Sequence, residues 1–172
     1  MVLTEKSIEV LMQLRDIVGR LPEGAYDQPL EVLEGNSVGK HARHIVEFFE
    51  CLLASASSGC VNYDNRNRDA LLEKDTRELN GRIAALALVL RTNDFYRHNE
   101  LALQTSLDND QDVLINTSFD RELWYNIEHC THHLAIIRIA ARSLGVTALP
   151  EHLGLAYSTR KHLEEESSGG KI

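Results

Sequence analysis

The chain has no uninterrupted apolar stretch near the roughly 20 residues that a bilayer-spanning helix needs. It also has no Lys/Arg run: 18 basic against 26 acidic side chains leave a formal charge of −8. Such a surface repels nucleic-acid phosphates and anionic lipids. Its three cysteines, Cys51, Cys60 and Cys130, are odd in number and follow no CxxC spacing, which suggests neither a disulfide framework nor a CxxC metal site. Cys51 and Cys130 sit in apolar helical patterns and read as small buried hydrophobes. There is no GxSxG, phosphate-binding loop or dinucleotide fingerprint. The start, MVLTEKSIEVLMQL, mixes acids with apolar residues and does not read as a secretory signal. The expectation is a soluble, cytoplasmic protein without a nucleic-acid or membrane partner.

Helical periodicity is what the sequence has in quantity. At 172 residues it suits one domain, expected over 1–162, with 163–172 as a mobile tail. Ile8, Leu11, Leu14 and Val18 predict a first helix over 4–20, with Thr4 as its cap and Pro22 and Gly24 ending it. A loop follows to residue 36. Val38, Ile45, Phe49, Leu52 and Ala56 predict a second helix from Asn36 or Ser37 to about Ser57, stopped by Gly59. CVNYDNRNRD (60–69) reads as an ordered loop. A third helix is expected over 69–92 with Leu71, Leu72, Leu79, Ile83, Leu86 and Leu90 inward. Gly81 marks a kink or a close helix contact within it.

Residues 99–117 change character. LALQTS and DVLINTS alternate around DNDQ and predict a short β-hairpin. The fourth helix is the clearest, capped by Thr117 or Ser118 and stopped by Gly145, with Asp120 and Glu122 suiting its positive first turn. Its stripe is Leu123, Ile127, Cys130, Leu134, Ile137, Ala141 and Leu144. Residues 146–162 read as packed loop. The class expected is all-α, an up-down four-helix bundle with a hairpin insertion.

Eight histidines are the chemical signal. His129 and His133 lie four apart, about 40° around a helix axis from each other, at the edge of the core stripe. Such a pair chelates one ion, and a stable site needs a third ligand. The second helix offers His41 and His44, both bordering its apolar face. Three neutral imidazoles leave positions open for water or substrate and suit zinc, nickel or iron. His132 falls outside the pair and reads as a neighbour of the site or a surface residue. His98, His152 and His162 have no evident partner. Tyr63, Asp64, Arg66 and Arg68 could line a polar site mouth, or simply tie down their own loop. Glu47 and Glu128 neighbour the histidines in sequence but point about 100° away on a helix, so neither is an obvious base.

SVGKHARHIVEF and EHCTHHLAIIRIA resemble the DinB-type proteins, a four-helix family that includes YfiT-like metal-dependent hydrolases and bacillithiol or mycothiol S-transferases. The resemblance implies one ligand from the second helix and an HxxxH pair from the late one. By position these are His44, His129 and His133, with His41 the competing candidate for the first; the residue pattern itself offers His41, His132, Tyr63 and Asp64 as candidates for the surrounding pocket. It also implies a divalent metal, a small-molecule substrate and hydrolase or thiol-transferase chemistry. Many members continue Arg-Gly-Gln after the second ligand of the pair, whereas Leu134, Ala135 and Ile136 follow here. The rival expectation is a non-catalytic bundle, structural or ligand-binding and homodimeric, with a degenerate metal site.

Overall fold

The computed structural model describes residues 2–92, 100–107 and 111–169. Four long helices make its body: α1 (Val2–Gly19), α2 (Val38–Ser58), α4 (Thr76–Thr92) and α5 (Phe119–Ser143). α5 packs against α1 and α2, and both of these also pack against α4. The short helix α3 (Ala70–Lys74) rests on α2, and α6 (Tyr157–Gly169) is mostly exposed. The expected stripes are the observed core: Leu11, Leu14, Phe49, Leu52, Leu79, Ile83, Leu123, Ile127, Leu134 and Ile137 are all within 1% of full burial.

Cap chemistry fixes where α2 and α5 begin. Ser37 accepts the Lys40 amide at 3.1 Å and Ser118 accepts the Arg121 amide at 3.2 Å. Gly59 ends α2 in the left-handed region at φ 70°, a conformation that glycine adopts without strain.

The fold is mostly helical rather than all-α. β1 (Cys60–Val61), β2 (Glu100–Ser106) and β3 (Asp112–Ser118) form one sheet in that order. β2 and β3 are the expected hairpin, paired antiparallel from Glu100↔Ser118 to Ser106↔Asp112. Residues 99 and 108–110, which include most of its turn, lie outside the described residues. β1 adds in parallel through Cys60↔Ala102 and Val61↔Leu103, so the 60–69 segment is more than a loop.

Other expectations need correction. α1 starts at Val2, so Thr4 is inside the helix instead of capping it. The single helix over 69–92 is two, because Asp75 is extended (φ −117°, ψ 110°) and its carboxylate accepts the Arg77 amide at 2.7 Å. Asp75 followed by Glu78 carries the pattern of a helix start. The break leaves Leu72 buried but turns Leu71 outward, 60% exposed. Gly81 makes no close contact, since an added Cβ would meet nothing within 4 Å, and α4 runs straight through it. Cys130 is buried as expected, whereas Cys51 is only partly covered. The segment read as loop and tail after 156 forms α6; residues 170–172 lie outside the described residues.

Candidate metal centre

α2 and α5 meet along a ladder of rings. His41 faces His133 (centroids 5.2 Å), His44 faces His129 (5.0 Å), and Phe48 faces Tyr125 (6.2 Å). The order reverses from one helix to the other, as antiparallel neighbours require. Residues one turn apart on each helix therefore share one face.

Ligand atoms of His44, His129 and His133 all lie within 4.8 Å of one another. The Nε2 atoms of His44 and His129 are 2.8 Å apart, a hydrogen bond in which one ring donates. On a tetrahedral zinc, two nitrogens stand about 3.3 Å apart, given Zn–N distances of about 2.0–2.1 Å. One separation, 2.8 Å, is below that value and all three lie within 4.8 Å, so modest rotamer adjustment would let the three close on one ion. The donor set is imidazole only, which suits zinc, nickel or iron. Among the described residues no carboxylate or thiolate joins the group.

Electrostatics keeps these rings in the metal-ready neutral form. Burial chiefly, then the Arg66 guanidinium and the neighbouring His129, hold His44 down to about 3. Burial, then His44 and His129, hold His133 at about 3. His129 is lowered by burial, then by His132 and Arg66. His41 is lowered by burial and by Lys40, and its Nδ1 atom lies 3.0 Å from Nδ1 of His133.

Beyond the histidines, the surroundings are aromatic and then polar. Phe48 lies against His129 (4.4 Å, 22°) and Tyr63 (4.7 Å, 7°), with Arg66 over its ring at 4.7 Å. Tyr63 donates its hydroxyl to Glu122 Oε2 at 3.0 Å and accepts from Asn126 Nδ2 at 2.8 Å. Burial and that carboxylate push the phenol pKa upward. Glu122 itself is fully buried, and its other oxygen accepts from Thr117 (2.7 Å) and Arg121 (2.9 Å). Glu47, also buried, takes the Asp69 amide at 2.7 Å and sits 3.7–3.8 Å from Arg43 and Arg66.

The structure thus brings His44, His129 and His133 together, with His41 against His133 and Tyr63 one ring away. His132 is exposed, its ring 5.4 Å from that of His133. Asp64 faces the hairpin instead, accepting from Thr105 Oγ1 at 3.0 Å. Arg66 and Arg68 bond the carbonyls of Tyr63 and Asp64, so the loop does tie itself down. His162 pairs with Glu166 at 3.4 Å and His152 is exposed, while His98 lies outside the described residues. Sequence reasoning missed Phe48 and Tyr125 as ring braces, and it read Glu122 only as a helix-start acid. The available signal was position: Glu122, Asn126, His129 and His133 follow one edge of the α5 stripe.

Residues 7–165 match the model of the DinB family. By sequence, the chain is 31% identical over 109 residues to FK506-binding protein 5 of Rhizopus delemar, covering 62% of this chain and 28% of that protein. It therefore spans just over a quarter of that relative's length. By structure, it resembles the crystal structure of a DinB-like protein (YjoA) from Bacillus subtilis, with a TM-score of 0.63 and 14% identity. That superposition covers 91% of this chain and all of the other.

Proposed function

The chain belongs to the DinB family, and on that premise we propose that it is a four-helix-bundle metalloprotein whose divalent ion is held by His44, His129 and His133. The observation carrying this reading is the approach of three imidazole ligand atoms, from two helices, to within 4.8 Å of one another. Their depressed proton affinities support it, because an imidazole binds metal only when neutral. With three protein ligands, coordination positions remain for a small-molecule substrate. The ion would supply Lewis acidity, in hydrolysis or in thiol transfer. This chain's own residues orient the site: Phe48 and Tyr125 flank His129, and Tyr63 with Glu122 and Asn126 anchors that aromatic wall.

Metal analysis of tag-free protein tests the assignment. The parent should carry close to one equivalent of a divalent ion and a His129→Ala/His133→Ala variant almost none. Equal metal in the two would reject the site.

A specific observation favours a second reading, a non-catalytic bundle with a degenerate site. The buried carboxylates near the triad, Glu47 and Glu122, are both engaged by ion pairs and hydrogen bonds. Of their four oxygens only Oε2 of Glu47 lacks a hydrogen bond, and Arg43 and Arg66 stand 3.7–3.8 Å from it. Turnover of a thiol electrophile or an amide that disappears with the histidines would eliminate this reading.

A further inference from the structure

Holding an ion requires of His133 that its ligand nitrogen be bare, and nothing on α5 guarantees that. We propose that His41 is a positioning residue: it keeps the ring hydrogen of His133 on Nδ1 and so presents Nε2 as a ligand atom, an inference that rests on the metal-site reading above.

The argument starts from the 3.0 Å contact between the two Nδ1 atoms. Two neutral imidazoles share one hydrogen across such a contact, so only two arrangements exist. If His133 donates, its Nδ1 carries the hydrogen and its Nε2 holds a free lone pair. If His41 donates, the remaining hydrogen of His133 moves to Nε2 and blocks it.

An ion shared with His44 and His129 chooses between the two. A hydrogen on His133 Nε2 has no hydrogen-bond acceptor there among the described residues; the rings of His44 and His129 meet that imidazole edge-on at 4.6 and 4.7 Å. When His133 is the donor, His41 carries its own hydrogen on Nε2. His41 is only partly buried, so water can accept that hydrogen. The first arrangement satisfies both rings and leaves Nε2 of His133 bare for the ion; in the second that nitrogen carries a hydrogen, which water can accept but which blocks metal binding.

The fold also fixes where His41 stands. It lies in the first turn of α2, which Ser37 caps. Two residues before it, Gly39 presses against the Glu73 carbonyl, where an added Cβ would come within 2.0 Å. The helix start cannot slide without breaking that contact. A second ring nitrogen hydrogen-bonded by a neighbour is the usual way a metal-binding histidine is oriented. Here the neighbour is another histidine, supplied by the opposite helix.

The test uses the full chain with His41→Leu, which removes the acceptor, and His41→Asn, whose side-chain oxygen takes nearly the place of Nδ1. Long-range proton–nitrogen NMR on the metal-free proteins reads the His133 tautomer. Cobalt(II) titration against a competing chelator reads affinity and coordination. We expect hydrogen on Nδ1 of His133 in the parent and the Asn variant, and mixed tautomers in the Leu variant. Cobalt affinity should fall about 10–100-fold in the Leu variant and stay near the parent value in the Asn variant. An Nε2 hydrogen on His133 in the parent would overturn the proposal, as would unchanged tautomer and affinity in the Leu variant. A changed cobalt absorption spectrum in the Asn variant would make His41 a ligand and overturn it too. Failure of the parent to bind cobalt would sink the metal reading instead, and the metal-free tautomer measurement would still decide the role of His41.

Discussion

The Phe48 ring lies against the His129 imidazole, with centroids 4.4 Å apart and planes 22° from parallel. A residue only 6% exposed thereby braces a half-buried metal-ligand candidate. Core packing and site geometry are coupled at this contact, since any void at Phe48 opens directly onto His129. Tyr63 completes the stack at 4.7 Å and 7°.

Phe48→Ala should therefore destabilise the metal-free protein by about 3–5 kcal/mol. It should also weaken metal binding, because the His129 ring regains rotamer freedom. Urea unfolding in the presence of a chelator measures the first effect, and a metal-competition titration of the folded variant measures the second. A variant with full stability would mean that the aromatic wall carries no packing energy.

Metal uptake should release few protons. At pH 6, three imidazoles of ordinary pKa would give up about two protons on binding one ion. His44 and His133, held to about 3, are already neutral there, and His129 is shifted in the same direction. Calorimetry in buffers of different ionisation enthalpy counts the protons. A release near two would show that these rings are ordinary, solvent-like histidines.

Acid should weaken the metal-free fold in a defined window. The folded pKa values of His44 and His133, at about 3, lie below the ordinary 6.5. The unfolded chain then binds more protons between those limits, so stability is lost as pH falls below 6.5 and the loss levels off near 3. From pH 7.5 to 5.5 we expect a loss of about 1–2 kcal/mol, after allowance for solvent screening at these partly exposed rings. Replacing both histidines with Gln should flatten that part of the profile; an unchanged slope would place its origin elsewhere.

Glu122 offers a test of the polar anchor separate from the metal. Tyr63→Phe removes the hydroxyl that donates to this buried carboxylate and accepts from Asn126. The expected loss is about 1.5–3 kcal/mol, the range for a hydrogen bond to a charged group. Metal content should hardly change, because no histidine hydrogen-bonds the phenol. A parallel loss of metal would show that the wall and the ligands act as one unit.

Much of this architecture was legible before any coordinates, and the reasons are physical. α2 and α5 were readable because a serine cap, an apolar stripe and a terminating glycine agree at each: Ser37 and Gly59, Ser118 and Gly145. The triad was readable because helical spacing alone places His129 and His133 on one face. The choice of His44 over His41 was not; that came from the family resemblance, and the structure gives the two different partners. The break at Asp75 was written in its local pattern but masked by the continuing leucines. β1 was illegible, since two residues carry no period and its pairing depends on a hairpin about 40 residues away. The engagement of Glu122 by Tyr63 spans 59 residues, and no local rule reports such a contact.

Two glycines that look alike in sequence should behave oppositely. At Gly39 an added Cβ would come within 2.0 Å of the Glu73 carbonyl oxygen and 2.8 Å of its carbon. Backbone cannot swing aside as a flexible side chain does, so Gly39→Ala should cost about 1–3 kcal/mol, toward the upper end. At Gly81 an added Cβ meets nothing within 4 Å, and the residue lies mid-helix in α4. Gly81→Ala should stabilise by about 0.5–1 kcal/mol through helix propensity and a less flexible unfolded chain. Denaturant midpoints of the two variants measure this contrast. The Gly39 variant carries a second consequence, because moving the start of α2 moves His41 away from His133. Its cobalt affinity should fall along with its stability, whereas the Gly81 variant should bind as the parent does. Equal affinity in both variants would mean that the α2 start is free to shift without disturbing the histidine pair.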